Sequence, residues 1–331
     1  MSGSVVCTRG GIEESRHGVH GVVVDASGRR LARVGEPGRI AFFRSAAKPI
    51  QALPVVEDGV VERFGLGEGE LALCCASHNG EPGHLEVVAS ILRKAGLGPG
   101  DLECGPHPPM RDEVAAELYR EGGEPGPIHN NCSGKHAGML ALAVSRGWPT
   151  RGYVGASHPV QRRMLEEVCR WTDLDEGAVG TGTDGCGVVS FAVPLERMAL
   201  AFARLAGAAG RGEEGPRAIV DAMTRHPFLV AGTGRLCTAL MERSGERIFV
   251  KTGAEGVYCA GAPEGGLGLA VKVEDGARRA SGVALLEILG EIDLLEEDDL
   301  EALRASRRPP VRNTRGERVG EVRAAFELRR G

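Results

Sequence analysis

Only five lysines, at positions 48, 94, 135, 251 and 272, stand among the 40 basic residues of this 331-residue chain. Three of them, Lys48 in FRSAAKP, Lys135 in CSGKH and Lys251 in VKTGA, lie inside short Gly/Ser-rich stretches. Arginine stays protonated under any condition a protein survives, whereas a buried lysine can lose its proton and serve as a base or a metal ligand. A chain that otherwise uses arginine keeps lysine where neutral-amine chemistry is wanted. Ser45 precedes Lys48 by three residues, and at a helix start that spacing puts both side chains on one face, within reach for the amine to take the hydroxyl proton. Alone the pattern is common, and a serine N-cap followed by a solvated lysine explains it equally well.

Two further stretches turn the pair into an ordered set. CCASHNGEPGH supplies Ser77-His78-Asn79, and IFVKTGAEGVY supplies Lys251-Thr252-Gly253 on an apparent strand. Serine–lysine acyl-transfer enzymes such as penicillin-binding proteins and class A β-lactamases use S-x-x-K, then a Ser-Asp-Asn-type loop, then K-T-G on a sheet-edge strand, in this order. Each part has a job: a nucleophile beside a base, a second hydroxyl and amine to protonate the leaving group, and a glycine that lets substrate approach a strand closely. The stretch IHNNCSGKHAGML adds Cys132 and Lys135, three apart at a helix start, and GTDGCG offers Cys186 on a glycine-rich turn. Two thiolates and a neutral amine could hold zinc with a fourth position open. The same residues also suit a thiol of lowered pKa and an anion contact at a helix N-terminus. His136, beside Lys135, is the weaker metal candidate, because Lys135 shares the Cys132 face.

The surrounding pattern says what must position these residues. Short strands are expected at 4–9, 19–25, 30–34 and 39–43, then helices at 46–58, 82–96, 111–121, 133–146 and 158–172. A turn-rich segment at 179–187, a strand at 187–193 and helices at 194–207, 214–225 and 233–243 precede strands at 246–251, 256–262 and 267–274. A helix at 277–291 and an alternating tail, RVGEVRAAFEL, close the chain. Both chain ends therefore build one mostly antiparallel sheet, about 1–45 and 245–331, with a helical block at about 46–244 inserted, all in one catalytic unit of α/β (α+β) class. The acidic run EIDLLEEDDLEALR reads as a capped, solvated helix face. A net charge of −5 and 13 aromatic residues offer no basic stripe or stacking platform for nucleic acid. The absence of a signal-like start or a membrane-length apolar run leads us to expect a cytoplasmic protein without a membrane partner. Nine scattered cysteines suit reduced thiols; the neighbours Cys74 and Cys75 leave a redox-sensing reading open.

The segments FRSAAKPIQALP, CCASHNGEPGH, IHNNCSGKHAGML, GTDGCGVVSFAVPL, RHPFLVAGTGRLCT and VKTGAEGVY together resemble the asparaginase II family, the rhizobial-type L-asparaginases. The resemblance implies a fold related to serine β-lactamases and glutaminases, a homodimer, and L-asparagine as substrate. It further implies one zinc per chain on Cys132, Lys135 and Cys186, and two Ser-Lys pairs, Ser45 with Lys48 and Ser77 with Lys251. Cys237 falls in a family-like motif near the site. Two other readings compete: a cytoplasmic serine β-lactamase- or glutaminase-like hydrolase, and a non-catalytic, zinc-stabilised amino-acid-binding protein. Nothing in the sequence sets asparagine against glutamine, identifies the first nucleophile, or shows that turnover needs zinc.

Overall fold

The computed structural model describes residues 3–331. The chain opens with strands β1 (Gly3–Arg9), β2 (Ile12–Asp25), β3 (Arg30–Val34) and β4 (Ile40–Phe42), and a 3₁₀ turn at Arg44–Ala47 runs into helix α1 (Lys48–Glu57). Helices α2 (Val60–Phe64), α3 (Glu68–Cys74), α4 (Pro82–Lys94), α5 (Asp112–Arg120), α6 (Ser133–Arg146) and α7 (Pro159–Thr172) follow. Strands β5 (Gly180–Thr183) and β6 (Val189–Pro194) lead to α8 (Leu195–Gly210), α9 (Glu214–Arg225), α10 (Pro227–Val230) and α11 (Leu236–Ser244). Strands β7 (Phe249–Thr252), β8 (Val257–Ala262) and β9 (Leu267–Val273) return, and α12 (Arg278–Glu291), α13 (Glu297–Ala302), α14 (Arg304–Arg307), β10 (Pro310–Arg312), β11 (Arg318–Ala324) and β12 (Arg329–Arg330) complete the order.

The class is the expected mixture of helices with an antiparallel sheet from both chain ends. Several details differ, among them the unexpected short helices α2 and α3. β2 begins at Ile12, well before the apolar run that announced it, because its polar first half pairs with β1. The turn-rich segment after α7 contains β5, paired with β6. In the acidic run, Asp299 is buried and accepts from Arg243 and Arg247 at 2.7 and 2.8 Å, so one carboxylate of that run is an internal tie.

Contacts divide the chain into two compact units. The sheet unit comprises residues 1–46, 193–211 and 239–331, and the helical unit comprises 47–192 and 212–238. In the sheet unit the strand order is β10-β11-β1-β2-β9-β8-β7, with β3 also paired to β2 and β12 to β3. β2 is the hub: its first half pairs with β1, its second half with β3, and its other edge with β9, all antiparallel. Helix α8 lies so close over β9 that a Cβ on Gly268 would overlap the backbone of Ala199 and Ala203. On the opposite face, Ile288 of α12 fills the space left by Gly21 of β2. The sheet is thus covered on both faces, which is why β8 is buried along its whole length rather than alternating.

The helical unit is built around α6, which is buried continuously from Ser133 to Ala143. A helix buried on every side needs small residues where neighbours cross it. Gly134 meets the Leu73 carbonyl of α3 with no room for a Cβ, and a Cβ on Gly138 would lie 2.8 Å from Cys74 Sγ. No helix among the described residues is long and apolar enough to cross a membrane. Gly268→Ala should drive α8 off β9 and cost about 1–3 kcal/mol, the usual penalty for overpacking. Urea unfolding reads this as a lower midpoint at unchanged slope, and a parental midpoint would contradict the close approach.

Candidate active site

The three motif lysines are the buried ones: Lys48 is 1% exposed, Lys135 4% and Lys251 0%. Lys94 and Lys272 do ordinary work, the first pairing with Glu70 at 2.6 Å and the second holding the Glu255 carbonyl. A buried amine has to be given partners. Lys48, the first residue of α1, donates to the Ala76 carbonyl at 2.6 Å and the Ser77 hydroxyl at 2.9 Å, and lies 3.2 Å from Cys132 Sγ. The lysine of the first motif thus meets the serine of the second.

The loop carrying Ser77 is pinned from several sides. The Ser77 N–H donates to Val230 O, and the His78 N–H to Asn131 O. His78 is fully buried, and burial with the nearby positive charge of His84, Lys48 and Arg235 keeps its ring neutral. Its Nδ1 accepts from the Gly80 N–H, so its Nε2–H donates to Ser133 Oγ at 2.9 Å. Glu81 then accepts from Asn79, from the N–H and hydroxyl of Thr233, and from Arg111. These bonds hold its carboxyl below the usual range against the opposing effect of burial.

Cys132, Lys135 and Cys186 form a continuous cluster. Asn130 accepts from the Cys132 N–H at 2.9 Å and donates to the carbonyls of Cys104 and Gly105, which fixes the entry to α6. The hydrogen bond from Cys186, aided by the Lys48 and Lys135 amines, holds the Cys132 thiol well below its ordinary range. Cys186, as the donor of that bond and buried, is pushed up. Lys135 Nζ lies 3.2 Å from Cys186 Sγ; burial opposes its charge, but the two sulfurs and Asp184 hold it above its ordinary value. Two sulfurs and an amine joined through Cys186 are a soft donor set that suits zinc. Among the described residues no three His, Cys, Asp or Glu side chains group to hold a metal, so a metal here depends on the lysine.

Ser45 and Lys251 belong to the sheet unit. Ser45 is partly exposed on the 3₁₀ turn directly after Arg44, which adopts a left-handed φ of 51°. A non-glycine residue there stores local strain of the kind found beside reactive groups. Lys251 Nζ donates to its neighbour Thr252 O at 3.0 Å. Gly253 closes the motif for a steric reason: a Cβ there would meet Val257 at 2.9 Å and the Phe43 carbonyl at 3.1 Å, two residues before Ser45. Cys237 is buried on the first turn of α11, and Cys74 is buried with its thiol pushed up to about 12 by burial, an inert state that does not favour redox sensing at Cys74-Cys75.

Sequence reasoning passed over Asn130, Ser133, Glu81 and Thr233. The doubled asparagine of HNNCSG was a usable signal for a cap ahead of Cys132. Glu81 carried none, because Arg111 and Thr233 reach it from loops far along the chain.

A buried lysine on a serine hydroxyl, beside a polarised sulfur and amine cluster, is the equipment of a hydrolase. The profile of the L-asparaginase II family matches residues 5–324, and the chain belongs to that family. The family makes it an amidohydrolase acting on a small molecule. None of the curated proteins compared by sequence matches the chain. Among solved structures, a β-lactamase from Mycobacterium bovis is similar over 82% of this chain and 94% of its own, at 18% identity and a TM-score of 0.42. Asn130→Ala should remove the support of Cys132 and strand the carbonyls of Cys104 and Gly105, costing about 2–3 kcal/mol. Asn130→Asp should do no better, since it keeps the acceptor but loses both donors. A thermal shift near zero in either variant would dissociate the loop from stability.

Proposed function

We propose that the protein hydrolyses L-asparagine to L-aspartate and ammonia through a serine acyl-enzyme. Membership of the L-asparaginase II family supports the substrate. The single observation that carries the chemistry is the buried Lys48 amine, 2.9 Å from the Ser77 hydroxyl. In this reading Ser45 Oγ attacks the side-chain carbonyl carbon and Lys48 takes its proton. The carbon–nitrogen bond breaks once the nitrogen is protonated, a step assigned to Ser77 and Lys251. Ammonia leaves a β-aspartyl ester on Ser45, and water then attacks that ester and restores the hydroxyl. The Lys48–Ser77 hydrogen bond gives the first proton a route to the second hydroxyl, so the two pairs work as a relay.

Cys132, Lys135 and Cys186 would hold one zinc per chain. When bound, the ion supplies a fixed positive charge that orients an oxygen-bearing group of the substrate, the serine remaining the nucleophile. Family membership also supports a homodimer.

Ammonia release from asparagine and from glutamine, with metal content measured on the same sample, tests the reading directly. Ser45→Ala should lower kcat roughly a thousand-fold or more without unfolding the protein. Lys48→Arg should be nearly as inactive, because it keeps the charge but cannot give up its proton; an active variant would remove Lys48 as the base. Lys251→Ala should add little to the loss in Ser45→Ala, since parts of one machine are not additive.

Zinc affinity should fall as pH falls. The metal-free cluster holds a proton on Cys186 and another on Lys135, and both must leave when the metal binds, about two per ion. Chelator competition at two pH values measures this, and a flat affinity would take Lys135 out of the ligand set.

A further inference from the structure

His136 is fully buried in the first turn of α6, and its Nε2 has no hydrogen-bond partner among the described residues. Its other nitrogen, Nδ1, lies 2.7 Å from Tyr153 Oη. The direction of that bond follows from the phenol's other contact. Tyr153 Oη accepts from the Glu103 N–H at 3.0 Å, and burial pushes the phenol above its ordinary range, so it keeps its proton. Among the described residues that proton has no acceptor except Nδ1. The tyrosine therefore donates to Nδ1, and the ring proton sits on Nε2.

Two consequences follow. Nε2 carries a hydrogen whether the ring is neutral or protonated, so it has no lone pair for a metal, and His136 is excluded from the zinc ligands on geometry. A buried N–H without an acceptor also costs about 1–3 kcal/mol, so the ring calls for an acceptor that the described residues do not supply. The ring stands one residue from Lys135 and one turn from Cys132, within the electrostatic reach of the Lys135 and Lys48 amines. An acceptor there would share its surroundings with the proposed substrate.

We propose that His136 donates its Nε2–H to a buried oxygen beside the Cys132–Lys135–Cys186 cluster, a carboxylate or amide oxygen of the substrate in the complex or a retained water in the free enzyme. The inference deepens the asparaginase reading and rests on it for the identity of the substrate, whereas the position of the proton does not depend on it.

The test uses the zinc-loaded, full-length protein with its nine histidines labelled with nitrogen-15, the His136 signals being assigned by their loss in His136→Gln. Long-range proton–nitrogen spectra should show a protonated Nε2 and an unprotonated Nδ1, and Tyr153→Phe should blur that preference. L-aspartate, as the added probe, should shift the Nε2 resonance. His136→Leu should raise the KM for asparagine about ten-fold or more with kcat and zinc content near parental. His136→Gln, which keeps an N–H near the same place, should recover most of the loss. A protonated Nε2 that ignores aspartate, with parental KM in His136→Leu, would assign the acceptor to retained water. An unprotonated or zinc-shifted Nε2, or loss of zinc in His136→Leu, would overturn the proposal. Should the parent release no ammonia, the asparaginase reading fails, and the spectra still decide where the proton lies.

Discussion

The burial of lysine amines is the constraint on which the rest of the architecture depends. Moving a charged or strongly polar group out of water is expensive unless partners meet it at the right distance. Lys48 needs the Ala76 carbonyl, the Ser77 hydroxyl and the Cys132 sulfur together. Those three groups come from a loop after α3 and from the entry to α6, so α1, α3 and α6 must converge. Gly134 permits it by bringing α6 against the Leu73 carbonyl. The glycines of NNCSGKHAG are there for packing as much as for chemistry.

The polar groups around the cluster form linked local solutions. Asn130 uses its acceptor for Cys132 and its donors for the preceding loop, and Ser133 accepts from His78 while donating to Ile128 O. Buried polar networks of this type are stable only when every member is satisfied. Satisfaction fails conspicuously at His136 Nε2, inside a helix whose neighbouring polar groups are otherwise paired.

Much of this was legible in the sequence, for reasons that vary by element. α6, α9 and β3 sit where period and flanking turns put them, since a strong period bounded by glycine or proline leaves little freedom. α2 and α3 were not foreseen: VVERF is five residues between two glycines, EGELALC is seven with a glycine inside, and both are held in place by tertiary contacts that local pattern does not encode. The first half of β2, IEESRHG, looks like loop because its stability comes from the β1 ladder rather than from an apolar face. In the site, residue types with rare chemistry declared themselves, whereas Glu81 and Thr233, 152 positions apart, did not. The pairing of Lys48 with Ser77 also escaped notice, because sequence spacing favours neighbours and this contact spans 29 positions.

The pairing of β1 with β11, in which Val5 stands opposite Ala324, has a consequence for how the chain is made. β1 is translated long before β11, its outer neighbour. Until β11 follows, its outer edge is bare, the condition in which strands pair with the wrong chain. Neither unit is continuous in sequence: the helical unit has all its segments by residue 238, whereas the sheet unit still needs residues 239–331. Only β11 can close the sheet on that side, so its loss would leave an exposed, aggregation-prone strand edge rather than a slightly shorter enzyme.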